Sequence, residues 1–587
     1  MQLQCHTECR GRLMRVALLG LGCVGLWLLS PLSTIALAET PAVKSRAKAQ
    51  AKSYGNSDGR APLVSPESWG TAKKVPLRPG EIDQLLATEL HTEKITPAPL
   101  TTDEEFLRRV SLDLTGHLPL PADVDEFVAD NRPNKRAKLI DRLLDSEEYA
   151  RHWAQYWRDV ISAQATVPQP LVRLGRDVAL ETWLFEEIKA NRSWADMARA
   201  MITAEGNLQL NAPETAGPVA YLLGHMGPDA DNERAAETAR LFLGIQIQCA
   251  QCHDHPSDIW KRNQFHELAA YFGRTRERQN AAAGRGLELV SAPQGEHRMP
   301  SLDDPKKSTV IHPRFLSGAA IPPQEGDKER RRALAQAITS KENYWFAAAY
   351  VNRIWGVLMG QSFYQPVDDM GPKKEVVFPS VLIRLAASFQ AENYDTKSLI
   401  RAVLNSEAYQ REIRLGDSAE QHLRFAAACP TRLRPDALWQ ALVNVLGAPR
   451  ERPPQAGNVR PGLIAGGLAA RLRSFEAQFK REFNFDPSLK ADEVEGSIPQ
   501  ALLLMNNSVF DQRIQAKGTN FLSRILKAYP NNEDAVRILY LRTLARKPTS
   551  REQDKCQQYI ARVGNRTEAF EDLLWALINS TEFLTKR

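Results

Sequence analysis

Cysteine is scarce in this 587-residue chain: there are seven, and three of them, Cys5, Cys9 and Cys23, stand near the N-terminus. Only Cys249, Cys252, Cys429 and Cys556 follow, too few for a disulfide-stapled scaffold, so an apolar core must hold the fold. Beyond the first thirty residues there is no apolar run approaching the roughly 20 residues that a spanning helix needs. Charge of one sign is also missing, since 76 Lys and Arg face 70 Asp and Glu. With no basic stripe, nucleic acid is not an expected partner. No phosphate-binding glycine loop, Ser/His/Asp order or spaced metal-carboxylate set is present, and no twin-arginine pair opens the chain.

The N-terminus carries Arg10, Arg12 and Arg15, an apolar core over residues 16–29, and Ala36-Leu37-Ala38 before Glu39. That order predicts a secretory signal peptide, residues 1–38, cut after Ala38. A lipid anchor on Cys23 is disfavoured, because Gly20 stands where a lipobox wants leucine. The expected location is therefore outside the cytoplasm, in the periplasm or at the cell surface, with no transmembrane anchor after cleavage. Residues 39–77 are rich in Ala, Lys, Ser and Pro and read as a disordered leader, with order expected from near Glu81.

The fold class predicted for the rest is mainly α and multi-helical: two helical domains, residues 78–276 and 327–587, joined by a loop and β-hairpin segment at 277–326. Ile82, Leu85, Leu86 and Leu90 share one helix face. Tyr149, Trp153, Tyr156 and Trp157 form one aromatic stripe, read as core. Three helix ends repeat a pattern, around Ser146 and Tyr149, Ser406 and Tyr409, and Ser580 and Phe583. In each, the serine is expected to cap the next turn while the aromatic packs back.

One motif carries specific chemistry: Cys249-Ala-Gln-Cys252-His253. In a Cys-x-x-Cys-His sequence both thiols can add across the haem vinyl groups while the histidine becomes the proximal iron ligand. Haem c is thus the leading cofactor expectation, and an electron-transfer or redox-partner protein of the cell envelope the leading function. Zinc is an alternative, with His253 joined by His255 or His266, although a structural site normally wants four ligands. A dithiol or disulfide between Cys249 and Cys252, with no cofactor, is another. His225, Met226, His266, Met299 and Met370 are conceivable sixth ligands, and no spacing selects among them. A second polar cluster comprises Asn352 and Arg353 on a helix and Asp368 and Asp369 in a turn. It reads as an ion pair ordering the turn, with a paired-carboxylate catalytic site as the rival. A helical structural or carbohydrate-associated scaffold is the competing reading for the whole chain, and a hydrolase the weakest.

The stretches Arg109–Gly116, Cys249–Pro256, Val351–Trp355 and Pro366–Pro372, with Pro499–Leu502 and Asn579–Phe583, resemble a family of large exported planctomycete proteins. These join a cytochrome-associated PSCyt-type domain of unknown function to a PSD-type domain of unknown function. The likeness covers about residues 80–587. It implies a cell-envelope location and, through the family's name, haem. Many relatives also have a separate N-terminal cytochrome domain; only the disordered leader is expected in its place here. Relatives often have Phe where Met370 stands, which argues against a family-wide axial role for that position.

Overall fold

A computed structural model describes residues 66–586, apart from 211, 281–285, 305, 317, 319, 323, 415–423, 448–473, 490–493 and 495. The predicted signal peptide and the leader up to residue 65 lie outside the described residues. Order begins before Glu81, which corrects the expected start. A short helix, Pro66–Thr71, is anchored by buried Trp69, whose Nε1 donates to Lys341 O at 3.1 Å. The Arg384 guanidinium then donates to the carbonyls of Lys73, Val75 and Pro76 and to the Glu81 carboxylate. One aromatic and one distant arginine pin this segment, and neither leaves a periodic signal.

Helix makes up 59% of the described residues, which settles the mainly α class. The strands are short and antiparallel. Thr275–Asn280 and Gly286–Ser291 form a hairpin that extends Gly206–Asn207 into a three-stranded sheet, and His297–Pro300 pairs with Ser308–Ile311. Thr431–Arg432 pairs with Thr585–Lys586.

The two helical stretches share their interiors. One core cluster runs from Trp69 to Ala545, and a second joins Leu112 and Leu118 to residues between Leu433 and Phe583. The Asp103–Thr115 helix feeds both, turning Phe106, Val110 and Leu114 to the first and Leu112 to the second. The described residues form one compact unit. The aromatic stripe lies deep within it. Trp157 stacks on Trp194 and Tyr350 at 4.5 and 5.3 Å, and Tyr350 stacks on Phe389 at 4.8 Å.

The three serine caps share one geometry. Ser146, Ser406 and Ser580 each accept from the amide three residues on, that of Tyr149, Tyr409 and Phe583, at 3.2–3.3 Å. Each hydroxyl also donates to the carbonyl three residues back at 2.6–2.7 Å. The serine thus closes one helix and opens the next, and the following aromatic is buried each time.

The Arg109–Gly116 stretch is a junction. Arg109 Nη1 donates to the carbonyls of Tyr409 and Arg411 at 2.7 and 2.9 Å. Buried Asp113 accepts from Tyr409 Oη at 2.6 Å and from Lys586 Nζ at 2.8 Å. Removing one partner of a buried charge pair costs about 3–5 kcal/mol, because the other charge is stranded. Lys586→Met should therefore lower the unfolding free energy by about that amount in denaturant titration, whereas Lys555→Met on an exposed helix face should change it by less than about 0.5 kcal/mol.

Candidate functional site

The Ala230–Leu243 helix ends at Gly244, whose φ of 67° is left-handed. A Cβ there would stand 2.7 Å from Met370 Sδ and 3.1 Å from Ala349 Cβ. Glycine satisfies both the turn and the close passage. The chain then forms one 3-10 turn, Ile247–Gln251. At three residues per turn, positions i and i+3 eclipse. Ile247 and Ala250 accordingly face the core, fully buried, while Cys249 and Cys252 face solvent as free thiols.

His253 is exposed, and its Nδ1 lies 2.7 Å from Asp254 O. A carbonyl only accepts, so Nδ1 carries the proton and the lone pair is on Nε2. Asp254 locks the turn through Lys261 Nζ at 2.8 Å and the Arg262 amide at 3.0 Å. Those donors, Lys261 first, hold its carboxyl below the usual range. His255 donates its amide to Trp260 O at 2.8 Å, and its Nδ1 accepts from the Ser257 amide at 3.3 Å.

Behind the turn runs a hydrogen-bonded chain that the sequence did not reveal. His266 Nε2 reaches Gln251 O at 3.0 Å, His266 Nδ1 meets His297 Nε2 at 2.8 Å, and His297 Nδ1 meets Asp231 Oδ2 at 2.6 Å. Counting protons fixes their places. The carbonyl requires a hydrogen on His266 Nε2, so neutral His266 accepts at Nδ1, and His297 donates from both nitrogens, once to His266 and once to the Asp231 carboxylate. Burial, followed by the His297 charge, lowers the His266 pKa to about 4. Both His266 nitrogens are therefore engaged, and they brace the motif's backbone from within. Among the described residues, no three His, Cys, Asp or Glu side chains converge as a metal-binding group.

The second polar cluster lies against the first. Asp368 Oδ2 accepts from Arg240 Nη1 at 3.0 Å and pairs with Arg353 Nη2 at 3.5 Å, while Oδ1 accepts from Gln246 Nε2 at 3.1 Å. Burial would raise the Asp368 pKa, but Arg353 and Arg240 more than offset this and hold it below the usual range. Arg240 also bridges both Glu237 oxygens, at 2.7 and 2.8 Å. Asn352 holds the turn by its backbone, accepting from the Tyr364 amide and donating to Val367 O, both at 2.9 Å. Asp369 turns away to Lys374 Nζ at 2.7 Å. The motif loop and the turn also touch directly, since a Cβ on Gly371 would come within 1.7 Å of Asp258 Oδ2.

Comparison with family models matches residues 81–277 to PSCyt2, a protein of unknown function (DUF1549), and residues 330–560 to PSD1, a protein of unknown function (DUF1553). The chain is a two-domain PSCyt2–PSD1 protein. No curated protein and no solved structure matches it. The cysteine motif belongs to the PSCyt2 part, and Asn352, Arg353, Asp368 and Asp369 to the PSD1 part.

A cavity of about 640 Å3 is lined by both parts of this PSCyt2–PSD1 chain. PSCyt2 contributes Cys249, His225, Glu233, Glu237 and Arg240, and PSD1 contributes Asp368, Asp486 and Ser488. Of the five conceivable sixth ligands, His225 alone lines it. Its Nδ1 lies 3.4 Å from Glu233 Oε2, which also accepts from Thr166 Oγ1 at 2.7 Å. Met370 is buried in the core against Gly244. Met226 packs, partly buried, against the main core, and Met299 sits on the second hairpin.

Two outcomes follow. Asp368→Asn should cost about 3 kcal/mol of stability by unbalancing two buried guanidinium groups, whereas Asp369→Asn should cost less than about 1 kcal/mol because its lysine pair is partly exposed; urea titration compares them. For His266, a folded pKa of about 4 lies below the unfolded value near 6.5. The unfolded chain then binds more protons in that window, so stability should fall by up to about 3 kcal/mol as pH drops from 6.5 to 4. A His266→Gln variant should flatten that part of the stability-pH curve, and an unchanged curve would sink the assignment.

Proposed function

We propose that this is an exported redox protein that holds one haem covalently on Cys249 and Cys252, with His253 Nε2 as the axial ligand. One observation carries the reading: two free, exposed thiols stand on and just after a single 3-10 turn, and the next residue has its Nδ1 proton tied to a carbonyl and its Nε2 lone pair free. Such a tie is how a ligating histidine is usually oriented and made more basic. A haem so held would supply one-electron transfer.

The chain's own residues set the conditions. Asp254, Lys261 and the His266–His297–Asp231 chain keep the turn from rearranging when the thiols react. The cavity beside Cys249 has Glu233, Glu237, Arg240 and Asp368 in its lining, which suits water and small polar molecules and not an apolar macrocycle. The reacting face is therefore the solvent side of the turn, where exchange with a redox partner in the envelope is unobstructed. No described helix is long and apolar enough to cross a membrane.

A second reading is a carbohydrate-associated envelope scaffold with a dithiol or zinc at the cysteines. What favours it is the same cavity, where hydroxyl, amide, carboxylate and guanidinium groups together match a polyhydroxylated ligand.

Expression in a host that matures c-type cytochromes separates them. Haem predicts colour that survives denaturation and acid-organic extraction, loss of covalent haem in the Cys249→Ala, Cys252→Ala double variant, and shifted absorption bands in His253→Ala. Colourless protein releasing one zinc on acid treatment, or metal-free protein gaining two thiols on reduction, would replace the haem reading.

A further inference from the structure

A smaller cavity, of about 120 Å3, adjoins the first and has the opposite character. The segment around residue 487 separates them: Asp486 lines the larger, Phe485 and Pro487 line the smaller, and Ser488 and Leu489 line both. Three guanidinium groups, of Arg353, Arg432 and Arg434, line the small cavity, and no Asp or Glu does among the described residues. Its polar atoms are conspicuously idle. The Tyr156 hydroxyl, on a residue 2% exposed, has the Arg353 guanidinium beside it but no acceptor for its own proton among the described residues, and neither Gln361 Oε1 nor Arg434 Nη1 has a hydrogen-bond partner there. Buried polar atoms are nearly always satisfied, so three idle ones around a single space indicate something that would satisfy them.

The arginines differ in their commitments. Arg353 is drawn to Asp368 and Ser488, and Arg434 is held by His152 O at 3.2 Å with Asp159 Oδ2 at 3.7 Å from its Nη1. Arg432 has no side-chain hydrogen bond or ion pair among the described residues, and burial alone lowers its pKa. A partly buried cation without a counter-charge among the described residues, beside two further guanidinium groups and a phenol donor, matches an oxyanion's need for several convergent donors. Gln361 adds an acceptor, or a donor if the amide is turned, for a hydroxyl or further oxygen next to the anionic head.

We infer that this cavity, walled mostly by the PSD1 part and by Tyr156 of the PSCyt2 part, is a binding site for a small oxyanion-bearing molecule, its head held by Arg432, Arg434 and the Tyr156 hydroxyl beside Arg353. Carboxylate, sulfate and phosphate heads share the chemistry. The site does not involve the cysteine motif and stands whether or not haem is bound there.

The test is calorimetric titration of the full chain with sodium sulfate, sodium phosphate and sodium galacturonate, each at ionic strength matched with sodium chloride. At least one anion should bind saturably at a stoichiometry of one. Arg432→Gln should weaken that binding at least tenfold, and Tyr156→Phe several-fold. Neither variant should lower the melting temperature appreciably without anion, because among the described residues Arg432 has no counter-charge and the Tyr156 proton no acceptor; that keeps misfolding from mimicking the result. The order of the three anions identifies the head. No saturable binding of any of them, or equal binding by wild type and Arg432→Gln, would overturn the site and leave a cavity filled with solvent.

Discussion

The carboxylate of Asp368, held between Arg240 and Arg353, is the constraint on which the site rests. Its first arginine belongs to the helix that runs into the cysteine turn, and its second to the helix that carries the PSD1 part's Asn352. Glu237 balances the extra guanidinium, so two positive and two negative charges are buried together. A net charge left there would be very costly. Gln246, one residue before the 3-10 turn, is fixed by the same carboxylate. The thiols therefore keep their exposed face only while the PSD1 turn is seated.

Arginine also does more broadly what disulfides do in small exported proteins. Arg108 donates to carbonyls of Thr543, Glu582 and Thr585; Arg176 to Ala220; Arg234 to Leu222, Thr275 and His225; and Arg331 to Ile202 and Ala204. Many of these acceptors lie at helix ends, where carbonyls have no partner within the helix. One planar group with five donors can gather several loose ends and fix their relative directions. The described residues are thus cross-linked without covalent bonds, and their four cysteines are all free thiols.

Local features were legible in the sequence, and long-range ones were not. The helices, the aromatic stripe and the serine caps follow from spacing over a dozen residues or fewer, where physics acts between neighbours. The cysteine motif was equally visible, though its spacing gave no hint that Ile247 and Ala250 hold the other face of the turn. His297, in a hairpin 31 positions from His266, carried no signal at all. Nor did Gly371, whose missing side chain makes room for Asp258. The cysteine motif and the Asp368 turn read as separate clusters because ion pairs across more than a hundred residues have no periodicity. The shared cores escaped for the same reason, since amphipathic patterns show which face is buried but not against what.

Asp113 and Lys586 stand 473 positions apart, yet they meet as a buried pair. A chain delivered from its N-terminus can form the early helices by local contacts, but Asp113 must wait for its partner until nearly all of the PSD1 part has arrived. Closing so long a loop adds little entropy beyond that of a shorter one; what matters is the order of events. The Asp103–Thr115 helix, placed near the beginning, serves as a latch that shuts last, and a chain cut short anywhere in PSD1 leaves that latch open, with a buried carboxylate lacking its counter-ion.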